Sequence, residues 1–200
     1  MTKKIGMKAK ICLVGEPAVG KTSTIGRYVL NKFDNAYVAT LQARFSTKET
    51  SISIPERGLE VEMSMILWDI MGDKGSRQLL KEAYFYRAQG ILAVCDITRR
   101  STLEDLRSWW RTVSRTVGEI PWVLVVNKID LRGRFTYGEN KILRISELLK
   151  APHLFTSAKT GERVEEAFRI LGRRIVERER VEGHDQSERV VTQSLPADRG

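Results

Sequence analysis

Gly15 to Thr22 reads GEPAVGKT, and residue types at this spacing can hold phosphate. The pattern G-x-x-x-x-G-K-[ST] sits between an apolar run and an amphipathic one. The loop N–H groups of Gly15, Ala18, Val19 and Gly20, with the N-terminus of the following helix, are therefore expected to cradle phosphate oxygens. Lys21 would reach the β and γ phosphates, and the Thr22 hydroxyl would bind Mg²⁺, with Ser23 beside it in the first turn. The expected ligand is a nucleoside triphosphate.

A second stretch, WDIMGDKG from Trp68 to Gly75, follows the apolar run MSMIL. Asp69 lies where a buried strand would surface, and a bare carboxylate there is costly unless a cation meets it. It is expected to act on Mg²⁺ through a coordinated water, while Gly72 lets its N–H approach the γ phosphate. NKID, Asn127 to Asp130, offers the Asp130 carboxylate to a ring N–H and exocyclic amine, a donor pair that guanine has and adenine lacks. TSAK follows, with Ser157, Ala158 and Lys159, where the Ala158 N–H is expected to donate to the base carbonyl. The four motifs occur in this order, each at the C-terminal edge of a strand-like run, where open α/β sheets bind ligands.

Strand-like and helical stretches alternate throughout, which predicts an α/β domain with a mostly parallel sheet. Ala9–Gly15 is read as the first strand and KTSTIGRYVLNKF as the first helix. ARFSTKETSISI and EVEMSMILWD flank PERG and read as an antiparallel hairpin, with Val61, Met63, Met65 and Leu67 on one face. GILAVCD, PWVLVVNK and HLFTSAK are expected to be buried parallel strands. Ser101 to Glu104 reads as a capping box ahead of a helix that buries Leu103, Leu106, Trp110, Val113 and Val117. The last helix should bury Val164, Phe168, Leu171 and Ile175 and lose periodicity near Val181.

With 200 residues, 42% hydrophobic and 30% charged, the composition suits one globular domain. No run approaches the ~20 apolar residues that span a bilayer, and the N-terminus has charges without a signal-like apolar stretch, so a cytoplasmic location is expected. Cys12 and Cys95 lie in apolar runs and read as core thiols, not a disulfide. The net charge of +9 reads as a solvated basic surface, and specific nucleic-acid binding is not inferred from it. From Arg173 onward six basic residues face six acidic ones, unlike a polybasic membrane tail.

Together these motifs resemble a Ras-superfamily small GTPase, nearest the Rab branch, from about Lys8 to Val181. The expected fold is a three-layer P-loop NTPase domain: a mostly parallel six-stranded sheet with one antiparallel edge strand and helices on both faces. Residues 1–181 would form it, with 182–200 a flexible polar tail. The resemblance implies that Phe33 packs against guanine, that Lys128 flanks the base and supports the phosphate loop, and that Tyr37 covers the phosphates. It also implies that Thr40 closes onto Mg²⁺ and the γ phosphate, and that effector and regulatory proteins read the two switch segments.

The chain departs from that family pattern in several places. Thr40-Leu41-Gln42 replaces the usual T-I-G, and Pro17, which offers no N–H to a phosphate, occupies the phosphate loop. DIMGDK replaces D-T-A-G-Q-E, so Asp73 stands where a glutamine usually orients the attacking water. Asp73 has a shorter arm, cannot donate when ionised, and adds negative charge beside a triphosphate. Val38 and Ala39 leave no arginine just before Thr40, while Lys74 and Arg77 lie close to Asp73 in sequence. The chain ends LPADRG, so no direct lipid anchor is expected, and Thr2 excludes N-myristoylation. The leading reading is a guanine-nucleotide switch that hydrolyses GTP slowly, with Lys21, Thr40, Gly72 and Asp73 in the reaction centre. The competing reading is a nucleotide-binding interaction protein with negligible hydrolysis. A P-loop kinase is disfavoured by Asp130 and by the shortness of the chain.

Overall fold

Alternation along each strand decides which helices each sheet face receives. The computed structural model describes residues 3–33, 44–70, 81–131 and 133–192. Six strands are found there: β1 (Lys3–Val14), β2 (Arg44–Ile54), β3 (Leu59–Asp69), β4 (Gly90–Asp96), β5 (Trp122–Asn127) and β6 (His153–Phe155). They lie in the order β2-β3-β1-β4-β5-β6, with β2 antiparallel to β3 at one edge and the other pairs parallel. The helices are α1 (Lys21–Leu30), α2 (Lys81–Phe85), α3 (Arg100–Glu104), α4 (Leu106–Val117), α5 (Glu139–Leu148) and α6 (Val164–Thr192).

Ile11, Leu13, Met63, Met65, Leu92, Val94, Val123 and Val125 face one side, where Ile25 of α1 and Phe168, Leu171 and Ile175 of α6 cover them. The opposite side carries Cys12, Val14, Ile91, Ala93, Cys95, Leu124 and Val126 beneath Phe85, Leu103, Leu106, Val113, Ile142 and Ile145 of α2 to α5. This is the expected three-layer α/β arrangement, and burial of both sheet faces explains the near-continuous apolar runs of β4 and β5. Burial pushes the thiols of Cys12 and Cys95 up to about 12, so both remain neutral packing groups. No helix among the described residues is long and apolar enough to cross a membrane.

Several local expectations change. β1 begins at Lys3, six residues before Ala9, because Lys3–Lys8 pairs with Leu59–Ser64. Ile5 and Met7 turn inward between exposed lysines, a half-buried alternation that an apolar-run reading passes over. The expected capping box does not form: Arg99 is the N-cap of α3, without a side-chain cap, and Glu104 pairs with Arg100 at 2.7 Å. The buried Thr102 instead accepts from the Asp96 N–H at 2.9 Å and donates to the Arg99 carbonyl at 2.7 Å. In α4, Trp109 is the buried tryptophan and Trp110 only partly so, because Phe85 of α2 meets Trp109 edge-on, ring centroids 6.4 Å apart. The α6 backbone stays helical past Val181, to Thr192.

Candidate functional site

The phosphate-loop motif joins β1 to α1 by a backbone path that two glycines make possible. Gly15 has φ 141°, and a Cβ there would lie 2.1 Å from the Val94 carbonyl oxygen. Gly20 has φ 102°, and its Cβ would lie 2.4 Å from Asn127 Nδ2. Both positions combine a left-handed backbone with the close approach of another strand, so a side chain is excluded twice over. Ala18 also takes positive φ, 61°.

The carbonyl edge of the loop is held from outside. Lys21 Nζ donates to the carbonyls of Gly15 at 2.9 Å and Glu16 at 3.0 Å, and Asn127 Nδ2 donates to Val19 O at 2.9 Å. The Gly20 carbonyl accepts from both the N–H and the hydroxyl of Thr24, each at 2.8 Å. With these carbonyls held and α1 starting at Lys21, the loop has the polarity of an anion cradle. Ser23 is half-buried in that first turn.

Asp69 ends β3 with its side chain buried, and its Oδ2 accepts from the Thr22 hydroxyl. A hydroxyl and a carboxylate meeting beside a phosphate cradle form a hard-oxygen donor set. It fits Mg²⁺, which binds through one or two protein oxygens and the substrate phosphates rather than through an all-protein cage. No cluster of three or more His, Cys, Asp or Glu residues able to hold a metal occurs among the described residues.

Asn127, 1% exposed, joins the phosphate loop to the TSAK loop. Its Oδ1 accepts from the Ala158 N–H at 3.0 Å and the Thr156 hydroxyl at 3.3 Å, while its amide holds Val19. The Ala158 N–H expected to meet a base carbonyl is thus given to Asn127, and a base would share that donor. Asp130 is oriented by the Ser157 hydroxyl at 2.6 Å, and Ser157 in turn accepts from the Thr160 N–H at 3.1 Å. A carboxylate has about four acceptor sites, so Asp130 retains capacity for a donor pair. Lys159 is exposed, and its carbonyl, like that of Ala158, accepts from Arg27 of α1, at 2.6 and 3.0 Å.

Lys128, at φ 70°, places Nζ 2.7 Å from Asp96 Oδ2 at the end of β4. Burial acts to raise the Asp96 pKa, but the hydrogen bonds from Lys128 and Thr98 prevail and hold it below its ordinary value. Phe33 is half-buried two residues beyond Asn31, the α1 C-cap. Tyr37, Val38, Ala39, Thr40, Leu41, Gln42, Gly72, Asp73, Lys74 and Arg77 lie outside the described residues.

Asp96, Arg99 and Arg27 were not among the residues singled out from sequence. Asp96 carried a usable signal, since it closes a buried apolar strand as Asp69 and Asn127 do. The two arginines carried none, because their partners are distant in sequence.

A family model described as the Ras family matches residues 10–177. The chain is 37% identical over 172 residues to "Ras-related protein Rab-21" of Geodia cydonium, covering 86% of this chain and 72% of that protein. It is 33% identical over 184 residues to "Ras-related protein Rab-21" of Homo sapiens, covering 90% of this chain and 79% of that one. With the phosphate loop and both base-side loops at one sheet edge, these matches place the chain in the Ras family, as a Rab-like small GTPase and GTP-binding switch protein.

Proposed function

We propose that the chain is a guanine-nucleotide switch that binds GTP and GDP with Mg²⁺, hydrolyses GTP slowly, and signals through the segments around Thr40 and Gly72. The observation that carries this reading is Asn127, one buried side chain hydrogen-bonded to both the phosphate loop and the TSAK loop. That connection supports recognition of base and phosphates as a unit. In this reading Gly15, Ala18, Val19 and Gly20 surround the phosphates, Lys21 offsets their charge, and Asp130, oriented by Ser157, accepts from guanine. Phe33, Lys128 and Lys159 flank the base, and Tyr37 covers the phosphates. Thr22, Asp69 and Thr40 would hold Mg²⁺. Bound Mg²⁺ supplies neutralisation of phosphate charge.

The reaction proposed is attack of water on the γ phosphoryl group, which breaks its bond to the bridging oxygen and releases GDP and phosphate, with positioning and electrostatics as the protein's contribution. Asp73 offers the water an acceptor but no donor toward the phosphoryl oxygens, and its charge opposes that of the triphosphate. Slow hydrolysis is the consequence. The same substitution, with Pro17, also favours the second reading, an interaction protein with negligible hydrolysis.

Effectors and regulators are proposed to read the switch segments together with an aromatic strip formed by described residues near them in sequence. Phe45, 69% exposed, approaches Trp68 with ring centroids 6.1 Å apart, and Trp68 approaches Tyr84 at 6.4 Å. Phe45 is exposed and Trp68 and Tyr84 are half-buried, and such a strip supports protein docking, since aromatics supply large contact area at low entropic cost. Residues 1–181 are proposed as the nucleotide-binding domain and 182–200 as a polar tail. Buried, unpaired thiols at Cys12 and Cys95 support a cytoplasmic setting.

Single-turnover hydrolysis by protein preloaded with GTP tests the proposal, with and without cell extract. The purified chain should turn over at or below ~10⁻⁴ s⁻¹, the range of unassisted switch GTPases. Complete conversion within minutes by the protein alone would overturn slow hydrolysis, and no conversion under either condition would select the second reading.

A further inference from the structure

Two adjacent arginines open α3, and they do different things. Arg100 turns outward to Glu104 at 2.7 Å. Arg99 precedes the helix in an extended conformation, φ −135° and ψ 98°, and its guanidinium spans two partners. Its Nε lies 3.1 Å from Asp96 Oδ2, and its Nη2 donates to the Pro17 carbonyl at 2.8 Å. Pro17 has no N–H, so its own peptide gives the phosphate loop a carbonyl but no donor at that position. Of the side chains that hold the loop's carbonyls, Lys21 and Thr24 come from the start of α1 and Asn127 from the base motif. Arg99 lies outside both.

The second partner makes the contact more than a surface hydrogen bond. Asp96 is 1% exposed and its Oδ2 meets two cations, Arg99 and Lys128, the latter at 2.7 Å. Its Oδ1 is fixed by the N–H and hydroxyl of Thr98, at 2.9 and 2.7 Å. A continuous chain of charge-assisted contacts therefore runs from Lys128 in the base loop through Asp96 and Arg99 to Pro17 in the phosphate loop. A guanidinium suits this place because its rigid fork presents two donors at once, whereas an ammonium is a single centre on a flexible stem.

We propose that Arg99 is a positioning residue that ties the phosphate loop to the base loop through Asp96 and so slows release of bound nucleotide. The inference rests on the guanine-nucleotide reading above. Arg99 already engages a carboxylate and a carbonyl, so its role is to hold the loop's shape rather than to meet charge developing on the phosphoryl group. Opening the loop requires breaking the Pro17 contact, and losing that contact should shorten the lifetime of the bound state.

The test is release of a fluorescent GDP analogue from the Mg²⁺-loaded full chain into excess GDP. Arg99→Ala should release about fivefold faster, the size expected for a charged hydrogen bond partly screened by solvent. Arg99→Lys should recover less than half of the slowing. Arg100→Ala, which removes the same charge one residue away, should match wild type. Single-turnover GTP hydrolysis should stay within twofold in Arg99→Ala, a split between release and chemistry that a general loss of structure would not produce. If Arg99→Ala fails to fold, Arg99→Gln, which keeps a donor for Pro17 but no charge for Asp96, is held to the same expectation of faster release. Unchanged release in the folded variants overturns the proposal, as does equal acceleration in Arg100→Ala. A tenfold fall in hydrolysis with unchanged release also overturns it and makes Arg99 catalytic. A wild-type chain that fails to retain the GDP analogue would defeat the nucleotide reading itself, an outcome distinct from either.

Discussion

Replacing Asn127 by alanine should cost about 3 kcal/mol of folding stability, and the structure shows where that figure arises. The side chain is 1% exposed and serves three groups: the Val19 carbonyl at 2.9 Å, the Ala158 N–H at 3.0 Å and the Thr156 hydroxyl at 3.3 Å. Alanine leaves the first two without this partner in a site closed to solvent, and each such loss costs roughly 1–3 kcal/mol. The Thr156 hydroxyl, more distant and free to rotate, adds little. Asn127→Asp keeps the Ala158 bond but sets an acceptor against the Val19 carbonyl, so it should cost at least as much. The assay is chemical denaturation at saturating GDP and Mg²⁺, repeated at tenfold lower GDP. A bound ligand contributes RT ln(1 + [GDP]/Kd), so the Kd of each variant, measured separately by titration, gives the binding contribution to subtract and leaves the folding energy. A loss below about 1 kcal/mol for Asn127→Ala after that correction would refute the reasoning.

Gly20→Ala should abolish tight nucleotide binding, because φ 102° and a 2.4 Å approach to Asn127 Nδ2 both oppose a Cβ. Its stability cost should be smaller in an Asn127→Ala background, which a double-mutant cycle measures; an unchanged cost would mean that strain alone acts. For Asp73, slow chemistry predicts single-turnover hydrolysis at or above wild type for Asp73→Gln and close to wild type for Asp73→Ala, with nucleotide affinity checked in each. A tenfold collapse in both, ~1.4 kcal/mol of barrier, would make Asp73 a catalytic group instead. Asp96, whose folded pKa is held below the ordinary 3.8, contributes stability that is present above that value and lost as pH falls through the lower, folded one. The wild-type advantage over Asp96→Asn should therefore be the same at pH 7 and pH 5 and shrink below about 3.8, and a gap independent of pH would contradict the charged contacts drawn here.

The sequence discloses features whose cause is local and hides those set by distant partners. Val61, Met63, Met65 and Leu67 were readable because a half-buried strand forces period two, and all four are buried. The phosphate-loop and base motifs were readable because tight backbone paths admit few residue types, as the surroundings of Gly15 and Gly20 make concrete. Trp109 and Trp110 are neighbours that helical spacing from Leu106 cannot separate, and tertiary packing, including the contact of Trp109 with Phe85 on another helix, decides between them. The Ser101–Glu104 pattern was misleading because Thr102, bonded to Asp96 and Arg99, organises that turn from inside the helix. Arg27 and Arg99 reach partners 131 and 82 residues away, contacts that no local pattern encodes.

The most direct test of the central claim is equilibrium competition against a fluorescent GDP analogue by GDP, GTP, ATP and xanthosine diphosphate, for wild type and Asp130→Asn. Wild type should prefer guanine over adenine nucleotides by about 10⁴-fold, since a site built on buried polar partners strongly rejects a ligand that leaves them unpaired. Asp130→Asn should move preference toward the xanthine nucleotide, whose ring carbonyl can accept from the new amide. Displacement by ATP as effective as by GTP, or an unchanged base preference in Asp130→Asn, would contradict the assignment of this chain as a guanine-nucleotide switch.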